Sequence, residues 1–234
     1  MWSVGDGAPF MFTAERGGFF VGEGIRFDLT YETMPWHKVD TVVFDIGNVL
    51  VRYNPVELAA ELFPGDEAKQ RHMVQAVYLG PDWQDLDRGT IDFDRAAERL
   101  SARHGYPRED YLTALRSGFE LKVPLEEGWR AVRRCKRAGK RLYLLSNYSS
   151  EGYARVHERM KDRFALFEGD CISAHYHQLK PEPEIYQTLI AKFAIEPQRT
   201  LFIDDSLANI EAANQMGIHG FHLHENGMLD RFFL

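Results

Sequence analysis

From residue 40 onward two hydrophobic patterns alternate along the chain. Short apolar runs stand at 41–46 (TVVFDI), 141–147 (RLYLLSN), 169–174 (GDCISA, the weakest), 200–205 (TLFIDD) and 219–224 (HGFHLH). Amphipathic stretches with a helical period separate them. Parallel strands joined by crossover helices read this way. The middle runs each end in polar residues, which marks the carboxyl edge, where open α/β sheets place their ligands.

The gap between the first two runs is about ninety residues, far more than one crossover helix requires. Four helical patterns fill most of it: VELAAELF, DEAKQRHMVQAVYLG, FDRAAERLSARHG and REDYLTALRSGFE. In the last, Leu112, Leu115 and Phe119 form one apolar stripe. The pattern predicts a helical bundle over 55–119, inserted as a lid above the sheet edge that carries Asp45. The predicted fold class is α/β, a Rossmann-like three-layer sandwich with a central parallel sheet built from 39–54 and 120–234, plus that inserted cap. The next stretch, LEEGWRAVRRCKRAGK, has acids early and bases late, as the helix dipole favours, with Gly139 near its stop.

Residues 1–38 read as an extension. They are rich in glycine and aromatics, and IRFDLTYE (25–32) alternates as a half-buried strand does. A hairpin turning at Gly17-Gly18 is one reading. A poorly ordered extension ahead of an alternative start at Met34 is the preferred one.

Composition narrows the function classes. The 234 residues are 44% hydrophobic and 27% charged, ordinary globular values. A net charge of −7 argues against a nucleic-acid groove, so the basic run from Arg133 to Arg141 reads as a solvated helix face. Two cysteines, Cys135 and Cys171, make no disulfide framework and suit a reducing cytoplasm. No apolar stretch reaches membrane-spanning length and no signal-peptide pattern opens the chain, so no membrane partner is expected.

The candidate chemistry sits at the strand ends. Asp45 ends the first run, Ser146-Asn147 end the second, Lys180 stands in LKPEPEIY just before a helix, and Asp204-Asp205 end the fourth, with Asn209 one turn on. A Ser-Asn, a Lys-Pro or an Asp-Asp is individually a cap or a loop. Together, a carboxylate nucleophile, a hydroxyl, a lysine and a carboxylate pair on one edge suit magnesium-dependent phosphoryl transfer to aspartate.

In order and spacing, FDIGNVLV, LLSN, LKPEPEIY and FIDDSLANIEAANQMGI resemble the four motifs of the haloacid dehalogenase-like superfamily, in its subclass with a helical cap after the first motif. The likeness covers roughly 40–225. Within it these motifs look most like the bacterial α-D-glucose-1-phosphate phosphatase group, which DLDRGTID (85–92) also resembles. The resemblance implies Asp45 as nucleophile forming an aspartyl phosphate. It implies Mg2+ held by Asp45, the Gly47 carbonyl and Asp205, with Asp204 and Asn209 behind them. Ser146, the Asn147 N–H and Lys180 would stabilise the transferred oxygens, and Asn147, Trp83 and Arg88 are the substrate-binding candidates. The implied partner is a small phosphate ester, on a monomer or weak dimer.

One position departs from the commoner family pattern. Most phosphatases of the superfamily have a second Asp two residues after the nucleophile, to protonate the leaving oxygen and then activate water. Here that position is Gly47, followed by Asn48. A sugar 1-phosphate, whose anomeric leaving oxygen is more acidic than an ordinary alcohol, would need less help. Water or a cap residue such as Asp87 would then supply the proton.

Three other readings compete. A haloacid dehalogenase tolerates Gly47 but lacks an acidic pair like Asp204-Asp205. A phosphomutase depends on the missing acid. A non-catalytic phosphate-ligand binding protein has no need of Asp45, Lys180 and the pair together. His175, His177 and His222-x-His224 read as structural, Trp83 as bundle core or a sugar-stacking ring, and Arg88 as a substrate contact or a partner of Asp87.

Overall fold

A computed structural model describes residues 36–225 and 227–233. The strand and hairpin expected near the N-terminus lie outside the described residues.

Strand β1 (Thr41–Phe44) opens the core. After it come helices α1 (Pro55–Leu62), α2 (Glu67–Met73), α3 (Pro81–Arg88), α4 (Phe93–His104) and α5 (Arg108–Glu120), then α6 (Glu126–Arg137) and β2 (Arg141–Ser146). The chain continues through α7 (Ser150–Arg159), α8 (Lys161–Phe164), β3 (Gly169–Ile172), α9 (Ser173–Tyr176), α10 (Pro183–Phe193), β4 (Thr200–Asp204), α11 (Leu207–Gln215), β5 (His219–His222) and α12 (Met228–Phe232). The sheet is five-stranded, all parallel, in the order β3-β2-β1-β4-β5.

β1 is buried along its whole length, as a central strand covered on both faces must be. Its alternation sorts the core into two layers. Val42 and Phe44, with Leu142, Leu144, Leu201 and Ile203, pack toward α6 and the inserted helices. Val43, with Tyr143, Leu145 and Phe202, packs toward α10 and α11. No helix among the described residues is long and apolar enough to cross a membrane. Cys135 and Cys171 are both buried free thiols.

The helical insertion differs from its sequence pattern in two places. The stretch 66–80 is not one helix: α2 gives way at Val74–Tyr78 to a π-helical turn that buries Ala76, Val77 and Tyr78. α3 is an additional helix where no apolar period announced one. It is started by Pro81 in its first turn, stopped by Gly89 at φ 71°, and buries only Asp82 and Leu86.

Candidate active site

Register brings the first carboxylates together. Phe44 pairs with Leu144 of β2 and with Ile203 of β4, so the next residues, Asp45, Leu145 and Asp204, stand abreast at the carboxyl edge. The Asp45 N–H donates to the Ile203 carbonyl at 2.9 Å, continuing the ladder one residue past the strand.

Lys180 ties this edge together. Its Nζ lies 2.8 Å from Asp45 Oδ1, 2.6 Å from Asp204 Oδ2 and 3.0 Å from the Leu145 carbonyl, with all three charged side chains buried. Burial works against the ammonium, but the Asp204 and Asp45 carboxylates outweigh it and raise its pKa. Burial pushes Asp45 up to about 6, opposed by Lys180 and by a hydrogen bond from Ser146. Asn147 fixes the lysine by its side chain: Oδ1 accepts from the Lys180 N–H at 2.8 Å and Nδ2 donates to the Lys180 carbonyl at 2.9 Å. The next helix, α7, begins at Ser150 and is capped by Ser149.

Asp204 and Asp205 divide their work. Asp204 Oδ1 accepts from the Ser206 N–H at 2.8 Å and from Asn209 Nδ2 at 3.0 Å, while Oδ2 holds Lys180 and accepts from Asn209 at 3.1 Å. Asp205 is half-buried and has one described side-chain donor, Asn48 Nδ2 at 3.0 Å from Oδ2. Burial raises its pKa, with Asn48 opposing. One oxygen each from Asp45, Asp204 and Asp205 falls within 4.8 Å of the others. Hard carboxylate oxygens at this spacing fit Mg2+. Because the Asp204 oxygens are already engaged, Asp45 and Asp205 are the carboxylates with capacity to ligate it.

A scan against protein-family models matches residues 39–217 to the haloacid dehalogenase-like hydrolases. The chain belongs to that family. It is 25% identical over 181 residues to the sesquiterpene phosphatase astK of Aspergillus oryzae, covering 77% of this chain and 88% of the relative. Among solved structures it resembles a HAD family enzyme of Bacteroides thetaiotaomicron complexed with magnesium and inorganic phosphate, with TM-score 0.65 and 19% identity over 84% of this chain and all of that one. It also resembles the L-2-haloacid dehalogenase of Xanthobacter autotrophicus with chloropropionic acid covalently bound, with TM-score 0.60 and 16% identity over 81% of this chain and 79% of that one.

In this hydrolase the Gly-Asn of the first motif is a structural device. Asn48 has φ 50°, a left-handed conformation that asparagine tolerates better than most residues. Its side chain then bridges two elements, donating to Asp205 and accepting from the Tyr53 N–H at 3.0 Å. Gly128 of α6 lies so close beneath this loop that a Cβ there would be 1.9 Å from the Val49 carbonyl oxygen, and Trp129 Nε1 donates to the Leu50 carbonyl at 2.8 Å.

Two expected substrate contacts are occupied elsewhere. Arg88 does not pair with Asp87: its guanidinium binds Glu182 of the core and the His177 carbonyl, while His177 Nδ1 returns to the Arg88 carbonyl. Trp83 is half-buried in an aromatic cluster, stacked on Phe119 and beside Tyr53 and Tyr78. His222 Nε2 meets the Asp205 carbonyl at 3.0 Å, a structural contact as expected.

Lys122, in the connection after α5, stands in no motif. Its Nζ sits over the rings of Tyr53, Phe119 and Tyr148, at 4.4, 4.8 and 4.9 Å from the centroids. The Tyr53 and Tyr148 hydroxyls are buried without a hydrogen-bond partner among the described residues. Three elements distant in sequence supply this cluster, so no local spacing announces it.

Proposed function

We propose that this chain is a magnesium-dependent phosphatase of small phosphomonoesters, with Asp45 as nucleophile. The observation that carries the reading is the buried Asp45–Lys180–Asp204 triad beside a half-buried Asp205. A nucleophilic carboxylate, a fixed positive charge and spare metal-ligating capacity lie within one site. Mg2+, held by Asp45, Asp205 and the Gly47 carbonyl, would neutralise phosphate charge.

Asp45 attacks phosphorus as the ester oxygen departs, giving an aspartyl phosphate that water hydrolyses. Lys180 and the Ser146 hydroxyl bind the transferred oxygens, and Lys180 is kept in place by Asp204 and by the Asn147 amide. Asn209 orients Asp204. The helices of 55–119 act as a cap, with Trp83 and Phe119 forming part of its inner wall. Arg88 serves substrate binding indirectly, by clasping cap to core through Glu182.

Sugar phosphates are the substrate class we favour, glucose 1-phosphate first, because the four motifs and DLDRGTID resemble the glucose-1-phosphate phosphatase group. The phosphatase named among the relatives and the magnesium–phosphate complex among the structural neighbours support the phosphatase over the dehalogenase reading.

The test is phosphate release with and without Mg2+ across a panel of sugar phosphates and an isoprenoid phosphate, for the parent and Asp45→Asn. Magnesium-dependent release that is lost in the variant is expected. Haloacid turnover without phosphate release would overturn the reading.

A further inference from the structure

We propose that Asp87, on the last turn of α3, is the catalytic acid and base that Gly47 omits, with Lys122 as its positioning residue. The inference rests on the phosphatase reading.

The place for a visiting carboxylate exists. Gly47 has no positive φ, and a Cβ built on it meets nothing closer than Asp45 Oδ2 at 3.9 Å. An acid was sterically possible at 47, and the space it would have filled lies beside the nucleophile.

The cap is fastened to the core on both sides of Asp87. Ser173 Oγ donates to the Asp87 carbonyl and accepts the Tyr148 N–H at 2.8 Å, linking α3 to the ends of β2 and β3. Gly89 approaches α9 so closely that a Cβ would lie 2.5 Å from the Ala174 carbonyl oxygen. Arg88 closes the seam on Glu182. These contacts hold the backbone on both sides of Asp87, which restricts where its carboxyl can reach, as proton transfer requires.

Its surroundings are those of a working carboxyl group. The groups that act on it electrostatically are Asp45 and Tyr53 from the loop after β1, Lys122 from the connection after α5, Tyr148 and the Ser149 N–H from the loop after β2, and Lys180 from the loop after α9. Burial pushes the Asp87 carboxyl up to about 7, against the pull of Lys122 and the Ser149 N–H. Lys122 holds its charge over three aromatic rings and lies within no ion-pair distance of an acid among the described residues, so it biases Asp87 without consuming it.

The cycle balances. As Asp45 forms its bond to phosphorus and the ester P–O bond breaks, the Asp87 carboxyl gives its proton to the leaving oxygen, releasing an alcohol. The Asp87 carboxylate then takes a proton from water as that oxygen attacks phosphorus. The Asp45–phosphorus bond breaks, inorganic phosphate leaves and both acids are restored.

The experiment is rapid-mixing hydrolysis of p-nitrophenyl phosphate with Mg2+ by the parent, Asp87→Asn and the double variant Gly47→Asp/Asp87→Asn. A nitrophenolate leaving group needs no proton, whereas the second half-reaction still needs a base. Asp87→Asn is expected to release one equivalent of nitrophenolate per site in a burst, with steady turnover at least about a hundredfold below the parent. Gly47→Asp should restore at least about tenfold of that loss. A merely structural Asp87 would lower burst and steady state together, and no acid at 47 would rescue it. Full turnover in Asp87→Asn, or joint loss without rescue, overturns the inference alone. A parent that releases no phosphate from this ester or the sugar panel overturns the phosphatase reading with it.

Discussion

Lys180 Nζ and Asp204 Oδ2 are 2.6 Å apart, with side chains 1% and 0% exposed. Both were brought out of water, and removing one partner strands the other. Asp204→Ala also leaves the Ser206 N–H and the Asn209 amide without an acceptor. It should cost about 3–5 kcal/mol in urea unfolding. Asp205→Ala removes a half-buried carboxylate with one described side-chain partner and should cost about 1 kcal/mol or less. Both should abolish phosphate release, so the two stabilities, read against equal loss of activity, separate the pillar of the site from its proposed metal ligand. Equal unfolding midpoints would sink the distinction.

The nucleophile loop is pressed from below by Gly128. Gly128→Ala puts a methyl 1.9 Å from a backbone oxygen that cannot rotate away, so either α6 or the loop after Asp45 must move. Overpacking of this kind costs roughly 1–3 kcal/mol. Displacing Val49 and Leu50 also shifts Asp45, so kcat should fall, while Gly105→Ala, strained at φ 81° but with nothing within 4 Å, should lower the melting temperature and leave kcat unchanged. Melting temperature and kcat for the two variants check this. A kcat for Gly128→Ala equal to the parent's would show the loop to be independent of α6.

The cap clasp has a strong half and a weak half. The Arg88–Glu182 pair is 34% and 38% exposed, so solvent screens it and Arg88→Ala should change stability by about 1 kcal/mol at most. Gly89 has φ 71° and packs against the Ala174 backbone, so Gly89→Ala meets both strain and a clash. It should raise KM and lower kcat together, because the cap no longer seats, whereas Arg88→Ala should move KM more than kcat. Steady-state kinetics on the same substrate decide. If Arg88→Ala proves the more damaging, the guanidinium itself must reach the substrate.

The strands and their chemistry were legible because each is local. TVVFDI and TLFIDD carry both the apolar run that makes the strand and the acid that ends it, and parallel pairing then sets Asp45 beside Asp204. Lys180 could be named from its motif, but not the amide of Asn147 that grips its backbone, since that contact spans 33 residues. Asn48 carries no proton to give, so its residue type alone suggests no catalytic role; a Gly-Asn after a strand announces a left-handed turn, and the turn is what aims its amide at Asp205. α3 is not legible as a helix in the apolar pattern because it buries only Asp82 and Leu86. The two readings open for Trp83 and for Arg88 could not be separated for a related reason: in an inserted cap, the side chain's direction depends on docking, which sequence spacing does not encode.

Lys122 offers a trade between stability and activity. Burial pushes its ammonium down to about 8, while Asp87 and Asp45 resist. A lysine with a folded pKa below its ordinary 10.5 binds its proton less tightly folded than unfolded, so its charge costs stability at neutral pH, and that cost is relieved as pH rises from about 8 toward 10.5. Lys122→Met fills the same aromatic box without a charge. It should raise stability at pH 7 by on the order of 1–4 kcal/mol and remove the upward slope of stability across the window from pH 8 to 10.5. Activity should move the other way. Losing a positive neighbour raises the Asp87 pKa further above about 7, so the high-pH fall of kcat/KM, where Asp87 gives up its proton, should shift to higher pH as the rate declines. Urea unfolding at pH 7 and pH 10, with a pH–rate profile for both proteins, reads all three effects. A less stable Lys122→Met with an unmoved profile would mean that the three rings hold the ammonium at a net gain and that it does not act on Asp87.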